Sequence, residues 1–589
     1  MERDIAVKSA DDQMKWGSDV AAELLRRLGI EYVCINPGSS FRGLHDSMVN
    51  YLGNEEPSLI LSLHEESVVA IAHGYAKVAG KPMGVILHSN VGLMLGMMSI
   101  FNAWCDRVPM LILGATGAVD TAVRRNWIDW LHTSRDQGAL IRNFVKWDEQ
   151  PTSPTATVDA MLRAYMHACT APCGPSYVAL DRRLQEDALS KPIEIPDISL
   201  FAPPHPPKPA TEVVERAATL LAQAQRPVIL IGRASHAPAA WHARVALAEM
   251  LGARVITDLR FGASFPTTHP LHGAPPDLFL TPRNRRILAD ADAVLSLGWD
   301  DLADVMRQAF TDSGRRATVI HASVDYQVHN GWSGDHQRLA AIDVRIACEA
   351  DVLLEPLLHA LSKHDMPPKP ATTDRTASAP QPGPIVAGRK PTLLDIGQAL
   401  LAARADRKLC LARVPLNWPA GAYPFEDPMD YLGYDGGGGV GSGPGMTIGS
   451  ALALKGSGRI PVGLMGDGEF IGGATALWTA AHYRIPVLIV VANNRSYYTD
   501  EVQQEAVAVA RGRPPENKWI GQRIDEPAIN IAGLASDLGF ATEPVVRDSG
   551  DIQTALERGL DEVEKGGCYL IEIEIEPSDG SSLDWLNHH

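Results

Sequence analysis

The sequence predicts an α/β protein of three doubly wound parallel-sheet domains, and two observations carry that prediction. Short apolar runs rich in β-branched residues alternate with stretches of helical apolar spacing along the whole chain, as strands buried on both faces require. Two proline-rich stretches, Ile195 to Glu212 and Met366 to Pro391, interrupt the alternation. A chain of 589 residues is too long for one hydrophobic core, so the interruptions read as domain boundaries. The expected domains are 1–195, 205–362 and 392–589, with 363–391 an extended linker.

In the first block, "EYVCINPGSSFRGLHDSM" is a strand followed by a turn, which puts Ser39, Ser40, Arg42 and His45 at a strand end. Next comes "LILSLHEESVVAIAHGYAKVAGKP", a strand running to His64-Glu65 and then an alanine-rich helix. Glu65 therefore starts a helix, where the dipole favours a carboxylate. "PMGVILHS" ends a third strand at His88, and "VPMLILGA" is a fourth. The middle block offers "RPVILIGRASHAP" and "ADAVLSLG", but its first turn lacks the GxGxxG spacing of a dinucleotide fingerprint. In the third block, "YDGGGGVGSGPGMTIGSALALKG" places four successive glycines before a small-residue helix. Glycines at that density cost conformational entropy and make sense where backbone lies against a ligand.

Composition narrows the function. Lys and Arg number 53 against 70 Asp and Glu, a net charge of −17 that disfavours nucleic acid and anionic membrane as partners. The N-terminus is polar with charges of both signs, unlike a signal peptide. Apolar runs are far shorter than the roughly 20 residues that cross a bilayer. Seven scattered cysteines make neither a disulfide framework nor a zinc site, Cys169 and Cys173 being the one close pair. The expected location is the cytoplasm.

Chemistry concentrates at the end of the third block. "IPVGLMGDGEF" is an apolar strand ending in Gly466-Asp467-Gly468, followed by helical spacing. Ligands bind parallel sheets where strands end and helices begin, and glycine N–H groups there cradle anions. Asp467 is out of place in such a position unless a cation joins it. The next strand, "IPVLIVVANN", ends in Asn493-Asn494, one crossover later, so both side chains reach one crevice. A carboxylate, an amide oxygen and a backbone carbonyl are hard ligands that suit Mg²⁺ together with phosphate oxygens.

This pair of strand ends resembles the metal-diphosphate motif of thiamine-diphosphate (ThDP) enzymes. The resemblance implies Asp467, the Asn494 side chain and the Ser496 carbonyl as Mg²⁺ ligands, with Gly466, Gly468 and Glu469 lining the diphosphate. "HEESVVAIAHGYA" is similar to the His-Glu…Gly-Tyr-Ala signature of the acetolactate synthase and benzoylformate decarboxylase group, which makes Glu65 the catalytic glutamate facing the aminopyrimidine. A carboxyl in an apolar pocket has raised proton affinity and can share a proton with the ring nitrogen it faces. Val440 falls at the position of the residue that bends the cofactor. Ser39 matches a substrate-binding serine and His88 a proton-transfer histidine; His45 is a second such histidine, and Ser40 and Arg42 are further substrate contacts. Relatives bind FAD, ADP or nothing in the central domain, and "DLRFGASFPTTHPLHG" resembles that domain without selecting among them.

Within the superfamily, "RRNWIDWLHTSRDQGALIRNFVKWDEQP" and the segment from Tyr497 to Ile524 look most like the branch containing cyclohexane-1,2-dione hydrolase. Three departures stand out: Thr116 where several members have glutamine, no leucine in the loop at Val440, and Arg42 where the branch has histidine. A guanidinium clamps anions but does not shuttle protons near neutrality. The implied function is a ThDP- and Mg²⁺-dependent enzyme that makes or breaks a C–C bond beside a carbonyl, by decarboxylation or carboligation of a 2-oxo acid. Lysis of a 2-hydroxyacyl-CoA, hydrolysis of a 1,2-diketone and a non-catalytic role are the alternatives. Tyr497 to Ile524 reads as a lid, with Arg513, Lys518 and Arg523 facing an anionic tail. Because the family's glutamate and metal site meet across subunits, the resemblance implies a homodimer at minimum and points to a homotetramer.

Overall fold

The structure is a computed structural model that describes residues 4–7, 13–310, 316–325, 339–366 and 386–576. The first sheet holds β1 (Tyr32–Ile35), β2 (Ser58–Leu61), β3 (Gly84–Leu87), β4 (Met110–Thr116), β5 (Trp147–Glu149) and β6 (Pro175–Asp181), in the order β2-β1-β3-β4-β6-β5. The second holds β7 (Pro227–Ile231), β8 (Arg254–Thr257), β9 (Ala293–Leu297), β10 (Thr318–Ala322) and β11 (Val344–Ile346), in the order β11-β10-β9-β7-β8. The third holds β12 (Lys408–Arg413), β13 (Arg459–Gly466), β14 (Val487–Asn493), β15 (Ala541–Thr542) and β16 (Cys568–Glu574), in the order β12-β13-β14-β16-β15. Every neighbouring pair is parallel. The three-domain α/β architecture is thus as the alternating pattern predicts. The reason shows in β4 and β14: all seven residues of each are buried, as strands covered by helices on both faces must be.

One detail differs from the sequence reading. β2 stops at Leu61, and His64 is not its end but the N-cap of the helix Glu65–Ala79, its ring accepting the Glu66 N–H. Within the segment read as a lid, Tyr497 to Ile524, the chain folds as the helix Tyr498–Ala510 and a 3₁₀ turn, Pro515–Trp519. Most of the proline-rich linker expected at 363–391 lies outside the described residues.

The first and third domains meet along the helices Glu65–Ala79 and Gly443–Leu454. A Cβ on Gly74 would lie 1.9 Å from the Met446 carbonyl oxygen, and one on Gly449 would lie 1.9 Å from that of Ile71. Glycine at both places lets the backbones touch. The central domain is stitched to the third by backbone hydrogen bonds from Ala263 to Tyr431, Tyr434 to Arg260 and Thr267 to Phe425.

Candidate functional site

β13 and β14 are parallel neighbours, so Gly466 and Asn493 end side by side. Asp467 opens the helix Asp467–Gly473 and is 3% exposed. Its Oδ2 has no hydrogen-bond partner. Burial pushes this carboxyl up to about 6, while backbone N–H groups of Asp467, Gly468, Arg495 and Ser496 favour its charged form. Across the gap, Asn494 Oδ1 accepts the Ser496 N–H at 3.0 Å. Asn493, by contrast, is spent on structure, donating to Glu572 and accepting from the Arg495 N–H. Arg495 between them adopts φ +58°, a left-handed turn that non-glycine residues rarely take. The space beside Gly466 is open, and the Tyr497 ring packs on Gly468 so closely that a Cβ there would sit 2.6 Å away. Asn494 and Ser496 open onto a crevice of about 470 Å³ whose walls include Arg495, Lys518 and Arg523. Lys518 pairs with Glu505 and Arg523 with Glu501, while Arg513 is exposed.

Glu469, two residues on from Asp467, binds the backbone of the glycine loop. Its two carboxylate oxygens accept the N–H groups of Gly441 and Gly443, at 3.0 and 2.6 Å, and so cap the helix that follows the glycine run. Asp435, fully buried, accepts the Gly438 N–H and the Ser442 hydroxyl. Arg413, at the end of β12, reaches both carboxylates, 2.9 Å from Asp435 and 3.5 Å from Glu469. The glycine run itself lies against the helix Ser89–Cys105: Cβ atoms on Gly437 and Gly439 would collide with Asn102 and Met98. At Gly437 and Gly439 the close approach is thus to protein, while a Cβ on Gly438 would meet nothing within 4 Å. The clamped loop presents Val440 to solvent at 54% exposure.

In the first domain Glu65 is 7% exposed and accepts a hydrogen bond from Asn36 at 3.1 Å. Gly92 leaves it room, since a Cβ there would meet the Glu65 carboxylate at 3.1 Å. Burial raises the neighbouring Glu66 carboxyl, with His64 opposing and Glu469 adding to the effect. His88 begins the next helix, its Nδ1 2.7 Å from the Ser40 hydroxyl. The His132 ring stands perpendicular to it, centroids 4.7 Å apart. Burial above all, then His132 and Arg125, push His88 down to about 4, so the imidazole is neutral at ordinary pH.

The remaining predicted residues are less enclosed. Ser39 and His45 are exposed. Arg42 is also exposed, and its guanidinium makes a two-point pair with Glu186 at 2.6 and 2.9 Å. Sequence reasoning missed Asn36, His132, Arg413 and Asp435. Asn36 stands in the quoted "CINPG" and followed from its strand-end position; nothing local marks the other three.

Comparison with known proteins assigns the architecture. Residues 15–140 match the N-terminal TPP binding domain of thiamine pyrophosphate enzymes, 214–341 the central domain, and 416–573 the C-terminal TPP binding domain. The chain belongs to the thiamine pyrophosphate enzyme family. It is 27% identical to benzoylformate decarboxylase of Pseudomonas aeruginosa over 82% of this chain and 87% of that protein. It is 23% identical to a probable acetolactate synthase large subunit of Methanocaldococcus jannaschii, over 96% and 92%. Among solved structures, benzoylformate decarboxylase from Polynucleobacter necessarius superposes with a TM-score of 0.78 at 21% identity, covering 96% of this chain and 99% of that one.

Proposed function

We propose that the chain binds ThDP with Mg²⁺ and catalyses C–C bond cleavage or formation next to the carbonyl of a 2-oxo acid. The observation that carries this is Asp467 Oδ2: a buried carboxylate oxygen without a partner, at a helix N-terminus, beside Asn494 on the neighbouring strand end. An uncompensated buried carboxylate is costly, and a divalent cation removes the cost. Asp467, Asn494 and the Ser496 carbonyl would hold the ion, and Gly466 and Gly468 would admit the diphosphate. The bound thiazolium supplies an electron sink for the bond beside the carbonyl.

The protein's own residues supply the rest. Glu65, buried and oriented by Asn36, would be the residue that exchanges a proton with the cofactor's aminopyrimidine. Neutral His88, oriented by Ser40, accepts and returns a proton at the substrate. Val440, on its clamped loop, would pack against the bound cofactor. Ser39, Arg42 and His45 are exposed in the single chain, so their substrate contacts require a second copy to close the pocket. Arg42 acts as an anion clamp only by leaving Glu186. The curated relatives named above, a 2-oxo acid decarboxylase and an acetolactate synthase, favour 2-oxo acid chemistry over 2-hydroxyacyl-CoA lysis or 1,2-diketone hydrolysis.

The test is Glu65→Gln in protein loaded with ThDP and Mg²⁺, assayed against a panel of 2-oxo acids for carbon dioxide and carboligation products. Cofactor affinity should persist while turnover falls at least a hundredfold. Full turnover in that variant refutes the proton role.

A further inference from the structure

The turn that carries Asn494 and Ser496 is strained. Arg495 at its centre takes φ +58°, a conformation that costs energy in a residue with a side chain and lasts only where the surroundings over-determine it. The main chain supplies part of the restraint. The Arg495 N–H goes to the Asn493 side chain, and the segment returning after the 3₁₀ turn Pro515–Trp519 pairs with the turn through an antiparallel bridge between Ser496 and Arg523. Beside that bridge the Ile524 N–H donates to the Arg495 carbonyl at 2.8 Å, and the Tyr497 N–H to the Gln522 carbonyl at 3.0 Å.

One side chain completes the restraint. Glu501 stands in the first turn of the helix Tyr498–Ala510 and is 2% exposed. Its Oε1 accepts the Ser496 hydroxyl at 2.5 Å, a short bond of the kind hydroxyls make to carboxylates. Arg523 also donates to Oε1, but at 3.4 Å and from a side chain that is 55% exposed, so it contributes little. A carboxylate taken out of water is costly unless its hydrogen bonds offset the loss. The helix dipole alone gives no reason for the burial, since Asp500 in the same turn serves the dipole while exposed. What the buried placement does is hold Ser496 twice, its N–H on Asn494 Oδ1 and its hydroxyl on Glu501.

We infer that Glu501 is a positioning residue for the metal site: through the Ser496 hydroxyl it keeps the strained turn in the form that offers an ion Asn494 and the Ser496 carbonyl. The inference rests on the Mg²⁺ site proposed above. Residues that orient metal ligands from behind, without touching the ion, set much of a site's affinity. The segment Tyr497 to Ile524 thereby acts on the cofactor from outside the crevice, by fixing the turn that holds the ion.

Mg²⁺ titration of the full-length protein at saturating ThDP tests this, with cofactor binding read by quenching of tryptophan fluorescence. Glu501→Ala is expected to raise the half-saturating Mg²⁺ at least about tenfold. Glu501→Gln keeps an oxygen for the hydroxyl and should restore most of the affinity. Asp500→Ala, which alters only the charge at the helix start, should match the parent. The double variant Ser496→Ala, Glu501→Ala should bind no more weakly than Glu501→Ala alone, because the two side chains act through one bond. Should Glu501→Ala not fold, Ser496→Ala, which keeps the carbonyl, takes its place. Parental Mg²⁺ dependence in the folded alanine variant overturns the inference. So do additive losses in the double variant, and so does a loss in Glu501→Gln or Asp500→Ala equal to that in Glu501→Ala. A parent that binds no ThDP with Mg²⁺ refutes the functional reading and this inference with it, whereas normal binding by parent and alanine variant alike refutes this inference alone.

Discussion

Asp467 carries its meaning in one atom. A buried carboxylate oxygen with no donor destabilises the fold unless a cation joins it. Asp467→Asn should therefore lower Mg²⁺-dependent ThDP affinity at least a hundredfold, read by cofactor fluorescence quenching, without lowering the melting temperature of the cofactor-free protein. His88 makes a prediction about acid. Its folded value of about 4 lies below the unfolded 6.5, so neutral His88 favours folding fully above pH 6.5. That contribution disappears as pH falls through 4. Allowing for its partial exposure, the loss is about 1–2 kcal/mol. Urea denaturation at pH 7 and pH 4 should show a smaller acid loss for His88→Gln than for the parent; equal losses would remove His88 from the acid limb. Residues at strand ends were legible because an apolar run followed by glycine or a polar pair marks where a strand stops. Partners were not. Arg42 finds Glu186 and Glu469 finds Gly441 through folding alone, so no local pattern announces them.

At the scale of elements, the glycine loop and the helix pair show how the same residue type serves different ends. Four glycines in a row announced an unusual backbone, correctly, but could not say that it packs on the helix Ser89–Cys105. The clamp that orders the loop combines a strand-end arginine, a loop aspartate and a helix-start glutamate from three separate elements. Glycine in a helix interior costs stability relative to alanine, so propensity alone would make Gly74 a weak point of its helix. It is instead the contact point of two domains, and Gly74→Ala pushes a methyl group into the Met446 carbonyl. Overpacking of this kind costs about 1–3 kcal/mol, offset in part by alanine's better helix propensity. A drop in the denaturant midpoint at constant slope is expected, and an unchanged midpoint would mean that the helices part without penalty. The helix Tyr498–Ala510 was not foreseen within the segment read as a lid, because its charges drew attention from a sound helical composition.

For the molecule as a whole, three sheets were legible because each block repeats buried parallel strands, while the expectation that copies of the chain associate rests on resemblance alone. The structure offers a candidate surface for such association. The helix Ser89–Cys105 is apolar nearly all round, a pattern that belongs to buried helices. Yet Met94, Leu95 and Phe101 on it are exposed, as are Trp127, Trp130, Val440 and Tyr497. An apolar surface of this kind marks an interface. It carries the approaches to Glu65 and the loop of Val440, so covering it with a second copy would at once bury the apolar side chains and dry both halves of the proposed site. The prediction is that the protein sediments as a dimer or a tetramer and that the paired substitution Met94→Glu, Leu95→Glu yields folded monomers. Those monomers should show native circular dichroism but weak ThDP binding, because a site shared between copies has lost one of its walls. Monomers that bind ThDP as tightly as the parent would show that one chain completes the site alone.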